Sequence, residues 1–323
     1  MSGSSMILKE QGSELIFVGG SPRSGTTLVQ NILNSHPDIF GGPEFLHLPD
    51  IISVRGKLHG SINRGWIDKY CSAEDVDDAI RTLIESLLLP LMKKSGRKLF
   101  SEKTPENVLV FSQLMAIYPH AHCINVIRDP RAIVASMLQV GARAVEKGLP
   151  PAWFTADIVS ATQYATQCLN AGMTAAGEYP NNILTVVYER LVSSPEEETK
   201  RLCDFLGLEW SERMLHPGST KHMGEEAITK KSGEIWYTTE MYYRDPVKDE
   251  IDKWKTQLSS LQKAMVDRSF KDNDELEAFG YKIRDPRQSY MRMFMARVLM
   301  RVGGSRMLKQ FGVRLPASVR TLS

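Results

Sequence analysis

Short apolar runs alternate with helical patterns along most of this chain. Leu15 to Val18, Lys98 to Phe100, His122 to Ile127 and Asn182 to Tyr188 read as strands. Thr26 to Leu33 reads as helix, with Leu28, Ile32 and Leu33 on one side. Asp75 to Lys94 carries Ile80, Leu83, Ile84, Leu87 and Leu88 at helical spacing, which predicts an amphipathic helix facing the core. Further helical faces are Val110, Phe111, Leu114 and Ile117, then Ile133, Val134 and Met137, then Leu202, Phe205 and Leu206. This alternation predicts an α/β fold with a central parallel sheet flanked by helices. Residues 46–72 read as irregular, a lid or substrate wall, and 140–180 as a loosely patterned helical outer layer. Ser194-Pro195-Glu196-Glu197 has the form of a capping box, and Gly207 ends that helix. Periodicity fades between His216 and Arg244 and returns over Ile251 to Leu261, with Trp254 on the apolar side.

The strand ends carry the chemistry. Gly19 and Gly20 stop the first strand, and Ser21-Pro22-Arg23-Ser24-Gly25-Thr26-Thr27 leads into helix. Such a turn aims backbone N–H groups and a positive helix end at one point, an arrangement that holds phosphate or sulfate. The Gly20-x4-Gly25 spacing is that of a P-loop, but Thr26 stands where a Walker loop has lysine, and the cation has moved to Arg23. Without that lysine, ATP or GTP hydrolysis is disfavoured. Gly41-Gly42-Pro43-Glu44-Phe45 sets a lone carboxylate in a loop, and Lys103 lies at the end of the second strand. A solvated loop Glu and a surface Lys are the alternatives there. Arg128 follows the His122–Ile127 strand, Asp129 can cap a helix opening at Pro130, and Ser136 lies two turns in on the side of Arg128. That Arg and Ser form a second anion clamp, unless Arg128 pairs with Asp129 or Glu102. The late loop is rich in bases and aromatics, including Ser232, Trp236 and Arg244.

Composition limits the classes. The 323 residues are 42% hydrophobic and 24% charged, ordinary for a globular protein. Cys71, Cys123, Cys168 and Cys203 are far apart and suggest neither disulfides nor a zinc site. No stretch reads as a membrane span or signal peptide, so a cytoplasmic location is the default expectation. The net charge of +2 hides an asymmetry: residues 282–323 hold ten Lys/Arg and one acid, leaving 30 bases against 37 acids before them. The body is not a general polyanion binder, and nucleic acid is not an expected partner. In the tail, Tyr290, Phe294 and Val298 recur among Arg292, Arg297 and Arg301, a basic amphipathic helix for an anionic membrane surface or for packing on its own domain. Three segments follow: a flexible 1–13, a domain over 14–281 and the tail 282–323.

The loop Ser21 to Thr27, the segment Ile127-Arg128-Asp129-Pro130-Arg131 to Ser136, and Tyr188-Glu189-Arg190-Leu191 to Pro195 resemble the sulfotransferase family, above all its tyrosylprotein branch and bacterial relatives. The resemblance implies the P-loop-like sulfotransferase fold over residues 14 to 281 and 3′-phosphoadenosine-5′-phosphosulfate as co-substrate, without a metal. It implies that Arg23, Ser24, Gly25, Thr26 and Thr27 cradle the 5′-phosphosulfate. Arg128 and Ser136 would hold the 3′-phosphate, and Tyr188 would touch the nucleotide. Glu44 falls at the place of the catalytic Glu, Lys103 at that of a catalytic Lys, and Arg23 would steady charge on the transferring group. Ser232 and Arg244 are the candidates for a Ser and a base from the late loop. The acceptor would be a hydroxyl on a small molecule, glycan, lipid or peptide tyrosine. Val140 stands where the branch has a further Arg, and Phe45-Leu46 where it has Thr-Arg, which sets a peptide acceptor apart from the rest of the reading. A P-loop small-molecule kinase should show the missing lysine and an acidic magnesium ligand. A non-catalytic nucleotide- or lipid-binding protein would not need both Glu44 and Lys103.

Overall fold

The computed structural model describes residues 12–223, 235–236, 244–271 and 273–283. Five strands form one parallel sheet: β1 (Leu15–Gly20), β2 (Ile39–Gly41), β3 (Leu99–Lys103), β4 (His122–Ile127) and β5 (Ile183–Val187), in the order β2-β3-β1-β4-β5. The strands are continuous apolar runs because they are covered on both faces. In β1, Ile16 and Val18 pack with Ile124, Val126 and Val186 against Val29, Ile32 and Leu33 of α1 (Thr26–Ser35). Phe17 points the other way, 5.9 Å from the ring of the buried Tyr118.

The chain leaves β1 towards β3 and β2, then crosses to β4 and β5, so its direction reverses around β1. In open α/β sheets ligands bind at the carboxyl ends of the strands at such a reversal. The carboxyl end of every strand here leads to a residue singled out above: Arg23 after β1, Glu44 after β2, Lys103 closing β3, Arg128 after β4 and Tyr188 after β5.

Several expectations change. Residues 46–72 are not irregular: α2 spans Leu48–Asn63. Only Leu48 and Ile52 of it are buried, and Gly56 and Gly60 dilute its face, so it leaves little periodic signal. The next helix, α3 (Ala73–Ser95), buries Ile80, Ile84 and Leu88 but exposes Leu83 and Leu87 by 43% and 48%, so the core-facing stripe is narrower than the pattern suggested. After β3 comes a 3₁₀ turn (Pro105–Val110) before α4 (Phe111–Ile117). The outer layer is the end of α5 (Pro130–Glu146) and α6 (Ile158–Glu178). Tyr188 opens α7 (Tyr188–Ser193), and Ser194 joins it to α8 (Pro195–Leu206). Ser194 makes no side-chain cap, because the same residue closes one helix and opens the next at φ −137° and ψ 61°; the capping box does not form.

By internal contacts the chain divides after Leu258. The first unit holds the sheet and ends with α9 (Trp254–Gln257). In the second, α10 (Ser260–Phe270) has a true capping box from Ser259 and Gln262, followed by α11 (Asp274–Ala278). The 251–261 helical expectation is thus met by two separate helices. Tyr290 and the rest of the basic amphipathic pattern lie outside the described residues. The four cysteines are free thiols. Among the described residues no helix is long and apolar enough to cross a membrane.

Candidate active site

The β1–α1 junction is built for close approach. A Cβ on Gly20 would fall 2.3 Å from the Val126 carbonyl oxygen. Gly25 sits at φ 105°, and a Cβ there would fall 2.5 Å from the Tyr188 ring. Only glycine allows both the backbone and the contact. Arg23 takes a left-handed φ of 75°, which turns its side chain without glycine's freedom. Gly25 is the N-cap of α1, no side chain caps it, and the first turn has no acid. The first-turn N–H groups lack intrahelical partners and the helix end is positive. The Ser24 hydroxyl is fully buried with no hydrogen-bond partner among the described residues.

Arg23, Arg128 and Ser136 come together, with Arg23 rather than Arg128 bonded to Ser136. Ser136 accepts from Arg23 Nε at 3.0 Å, and Arg23 Nη1 donates to the Trp236 carbonyl at 2.8 Å. Arg128 takes neither Asp129 nor Glu102. It donates to the Arg23 carbonyl (3.3 Å) and the Glu250 carbonyl (2.8 Å), and its buried Nε has no partner among the described residues. Ser136 faces Arg23 because that side chain spans the gap between α1 and α5. The Arg128 guanidinium lies 4.2 Å over the Tyr188 ring, a cation–π stack. Tyr188 is thus pressed between Gly25 and Arg128, and burial pushes its hydroxyl pKa up. Arg244 bonds Glu250 at 3.1 Å on the same cavity. Ser232 lies outside the described residues.

Glu44 and Lys103 form a nearly dry ion pair, their side chains 13% and 4% exposed. Lys103 also donates to the Thr27 hydroxyl at 3.2 Å, joining the pair to the first turn of α1. The Glu44 loop is tied down by Glu102, which the sequence offered only as a partner for Arg128. Glu102 accepts from the Phe45 N–H (3.0 Å), the Thr104 hydroxyl (2.7 Å) and Asn107 Nδ2 (2.5 Å). Thr104 in turn accepts from the Leu46 N–H at 3.1 Å. Burial raises the Glu102 carboxyl above its ordinary range despite these donors. His47, three residues past Glu44, is exposed and paired with Asp50.

These groups share one cavity of about 1100 Å³. Single small-molecule pockets run to roughly 300–1000 Å³, so there is room for two ligands side by side. Arg23, Gly25 to Leu28, Arg128, Ser136, Tyr188 and Arg244 line it. Glu44, Leu46 and Trp236 of the late loop line it too, with Glu106 and Phe154, neither of which was placed in the site from the sequence. Ser24 is turned inward, and Lys103 reaches the wall only through Glu44 and Thr27. Two glycines without room for a Cβ, an uncapped helix end and the unpartnered Ser24 Oγ and Arg128 Nε fit a ligand with more than one anionic group. No trio of His, Cys, Asp or Glu able to hold a metal occurs among the described residues.

Comparison with known proteins agrees with this geometry. Residues 15–212, from the start of β1 to the turns after α8, match the family model for the sulfotransferase family. Protein-tyrosine sulfotransferase 1 of Danio rerio is 29% identical over 251 residues, covering 74% of this chain and 65% of its own length. Protein-tyrosine sulfotransferase A of Caenorhabditis elegans is 30% identical over 206 residues, covering 63% and 52%. The chain therefore spans between about half and two thirds of the length of these two relatives. The sulfotransferase domain from the curacin biosynthetic pathway has the same fold, with a TM-score of 0.54 at 19% identity over 93% of this chain and 98% of that one. With strand ends, loop and matched span in agreement, this chain belongs to the sulfotransferase family.

Proposed function

We propose that the protein transfers a sulfuryl group from 3′-phosphoadenosine-5′-phosphosulfate to the hydroxyl of an acceptor. The observation that carries the reading is the chain Glu44–Lys103–Thr27, which joins a buried carboxylate to the open end of α1. The 5′-phosphosulfate lies against the 23–27 loop and the first turn of α1. Arg128, with Tyr188 under it, holds the 3′-phosphate, and Arg23, fixed by Ser136, faces the charge that develops between the two ligands. Arg244 lies on the same wall as a further nucleotide contact.

In the reaction the acceptor oxygen bonds to sulfur while the bond from sulfur to the 5′-phosphate oxygen breaks. Glu44 takes the acceptor proton, and the products are a sulfate ester and 3′,5′-adenosine bisphosphate. Lys103 keeps Glu44 aimed by pairing with it in a nearly dry setting. It also lends positive charge to the Thr27 side, where negative charge builds on the leaving group. Glu102 holds the backbone on the far side of Glu44, so the base does not swing with its loop.

Labelled-sulfate transfer tests the reading. With any acceptor that the wild type sulfates, Glu44→Gln should cost about 10²- to 10⁴-fold in turnover. Titration calorimetry should find its affinity for adenosine bisphosphate little changed. Normal turnover by the variant would put the base elsewhere.

A further inference from the structure

Glu102 holds the Glu44 loop from one side, and α1 holds it from the other. Thr27, Gln30 and Asn34 stand at i, i+3 and i+7 on α1, so they share a face. Gln30 is 5% exposed, and both ends of its amide are engaged. Its Nε2 donates to the Gly42 carbonyl and to the Ser101 carbonyl, each at 2.9 Å, and its Oε1 accepts from the Ser101 hydroxyl at 2.6 Å. The Gly42 N–H donates to that same Ser101 carbonyl at 3.1 Å. One turn further on, Asn34 Oδ1 accepts the Gly41 N–H at 2.9 Å. The approach is close, since a Cβ on Gly41 would fall 2.6 Å from the Asn34 Cβ. Pro43 has a fixed φ, so few free torsions remain between the held Gly42 carbonyl and Glu44.

Glu44 is therefore tied to α1 twice. Its carboxylate reaches Thr27 through Lys103, and its backbone reaches Gln30 through Gly42. The two routes meet on the helix whose open end faces the cavity, and together they close a ring. The Phe45 and Leu46 N–H groups fix the loop only after Glu44, so the hold on Gly42 is what fixes it before. We propose that Gln30 is a positioning residue: by holding the Gly42 carbonyl it sets Glu44 at a constant distance from the open end of α1, so that the base and the anion cradle form one rigid body. The inference rests on the sulfuryl-transfer reading for one point, that Glu44 takes the acceptor proton.

Gln30→Met keeps the reach of the side chain and removes its amide. Amide hydrogen exchange of the full chain, read by mass spectrometry, tests the hold without any substrate. Exchange over residues 39–46 should rise about tenfold while that of β4 stays as it was, as expected for losing buried hydrogen bonds locally. Ser101→Ala removes only the hydroxyl and should raise exchange there about threefold, which keeps the test open if Gln30→Met does not fold. No rise in either folded variant would overturn the proposal. Labelled-sulfate transfer, with any acceptor that the wild type sulfates, tests the positioning. Gln30→Met should lower kcat about tenfold, with adenosine bisphosphate affinity unchanged by calorimetry. In a Glu44→Gln background it should change the residual rate by less than about twofold, because its effect runs through Glu44. Val29→Ala, a core truncation on the sheet-facing side of the same helix, should lower stability and leave kcat alone. An equal fall in both backgrounds, or an equal fall in Val29→Ala, would make Gln30 part of the core and nothing more. If the wild type transfers sulfate to no acceptor while the exchange result holds, the sulfuryl-transfer reading fails and the hold of Gln30 on the loop stands.

Discussion

β1 and β4 are neighbours in the sheet, and each turns into a helix at the same edge. At the β1–α1 turn the helix opens after Gly25 with no side-chain cap and no acid in its first turn. At the β4–α5 turn Asp129 accepts the Arg131 N–H at 2.9 Å and holds the Arg131 guanidinium through Nε and Nη2 at 2.9 and 2.8 Å. Arg131 in turn stacks 4.2 Å over Trp254. One helix end is spent on its own chain and the other is left for a ligand. Anion-binding capacity thus depends less on having a strand–turn–helix than on what the turn's own residues have already satisfied. Around β4 it is the side chain of Arg128, not the helix end, that serves the cavity.

Exchanging these conditions tests the contrast. The largest effect should come from Gly25→Ala, which imposes a Cβ at φ 105° and drives it into the Tyr188 ring. Strain and overpacking together should lower stability by about 2–4 kcal/mol in denaturant melts and abolish adenosine bisphosphate binding. A variant that melts and binds like the wild type would mean that the loop is not tightly closed under Tyr188.

Arg128→Ala comes next. Loss of a charge-assisted clamp should weaken adenosine bisphosphate by about 10- to 100-fold, measured by calorimetry, while leaving affinity for the acceptor alone unchanged. Undiminished nucleotide affinity would remove Arg128 from the site. Asp129→Ala should behave as a structural change. It should lower the unfolding free energy by about 1 kcal/mol through the lost cap, with nucleotide affinity intact. A marked rise in nucleotide affinity would show that the α5 end can serve an anion once uncapped, and the contrast would then reduce to one aspartate.

The smallest effect concerns Glu102 at the end of β3. Burial raises its carboxyl pKa, so the folded state holds that proton more tightly than the unfolded chain. Its contribution to stability is greatest below the ordinary glutamate range and falls as pH rises through the raised value, after which it is flat. Glu102→Gln should remove that part of the pH slope, seen in urea midpoints collected from acid to neutral pH. An unaltered slope would show that Glu102 titrates as an ordinary surface acid.

Much of the site was legible because its chemistry is local. A run of small, hydroxylated and basic residues between a strand and a helix has few uses, and Arg23, Gly25 and Thr27 are named by the loop itself. Arg128 follows from being the first residue past a clear strand. Glu44 and Lys103 were plausible singly, but only the fold shows that each is the other's partner. Glu102 was considered only as a partner for Arg128, and Glu106 left no mark, because an acid in a polar stretch reads as solvated until its surroundings are known. The Arg23–Ser136 hydrogen bond could not be read from the sequence, because helical phase gives a direction but not the length of a side chain arriving from another element. α2 was missed because a helix that buries two residues on one face has little amphipathic signal.

Four of the five strands, most of the helices, the glycine-bearing loop after β1 and the family were determined by the sequence alone, because each rests on residues close together along the chain; the three-residue β2 and α2 were not. The tertiary structure decided which charges meet. It brought the ends of five strands to one edge, closed Tyr188 over Gly25, dried the Glu44–Lys103 pair and laid Gln30 against the Gly42 carbonyl. Those outcomes depend on burial and on distances between segments tens to hundreds of residues apart, which no local pattern encodes.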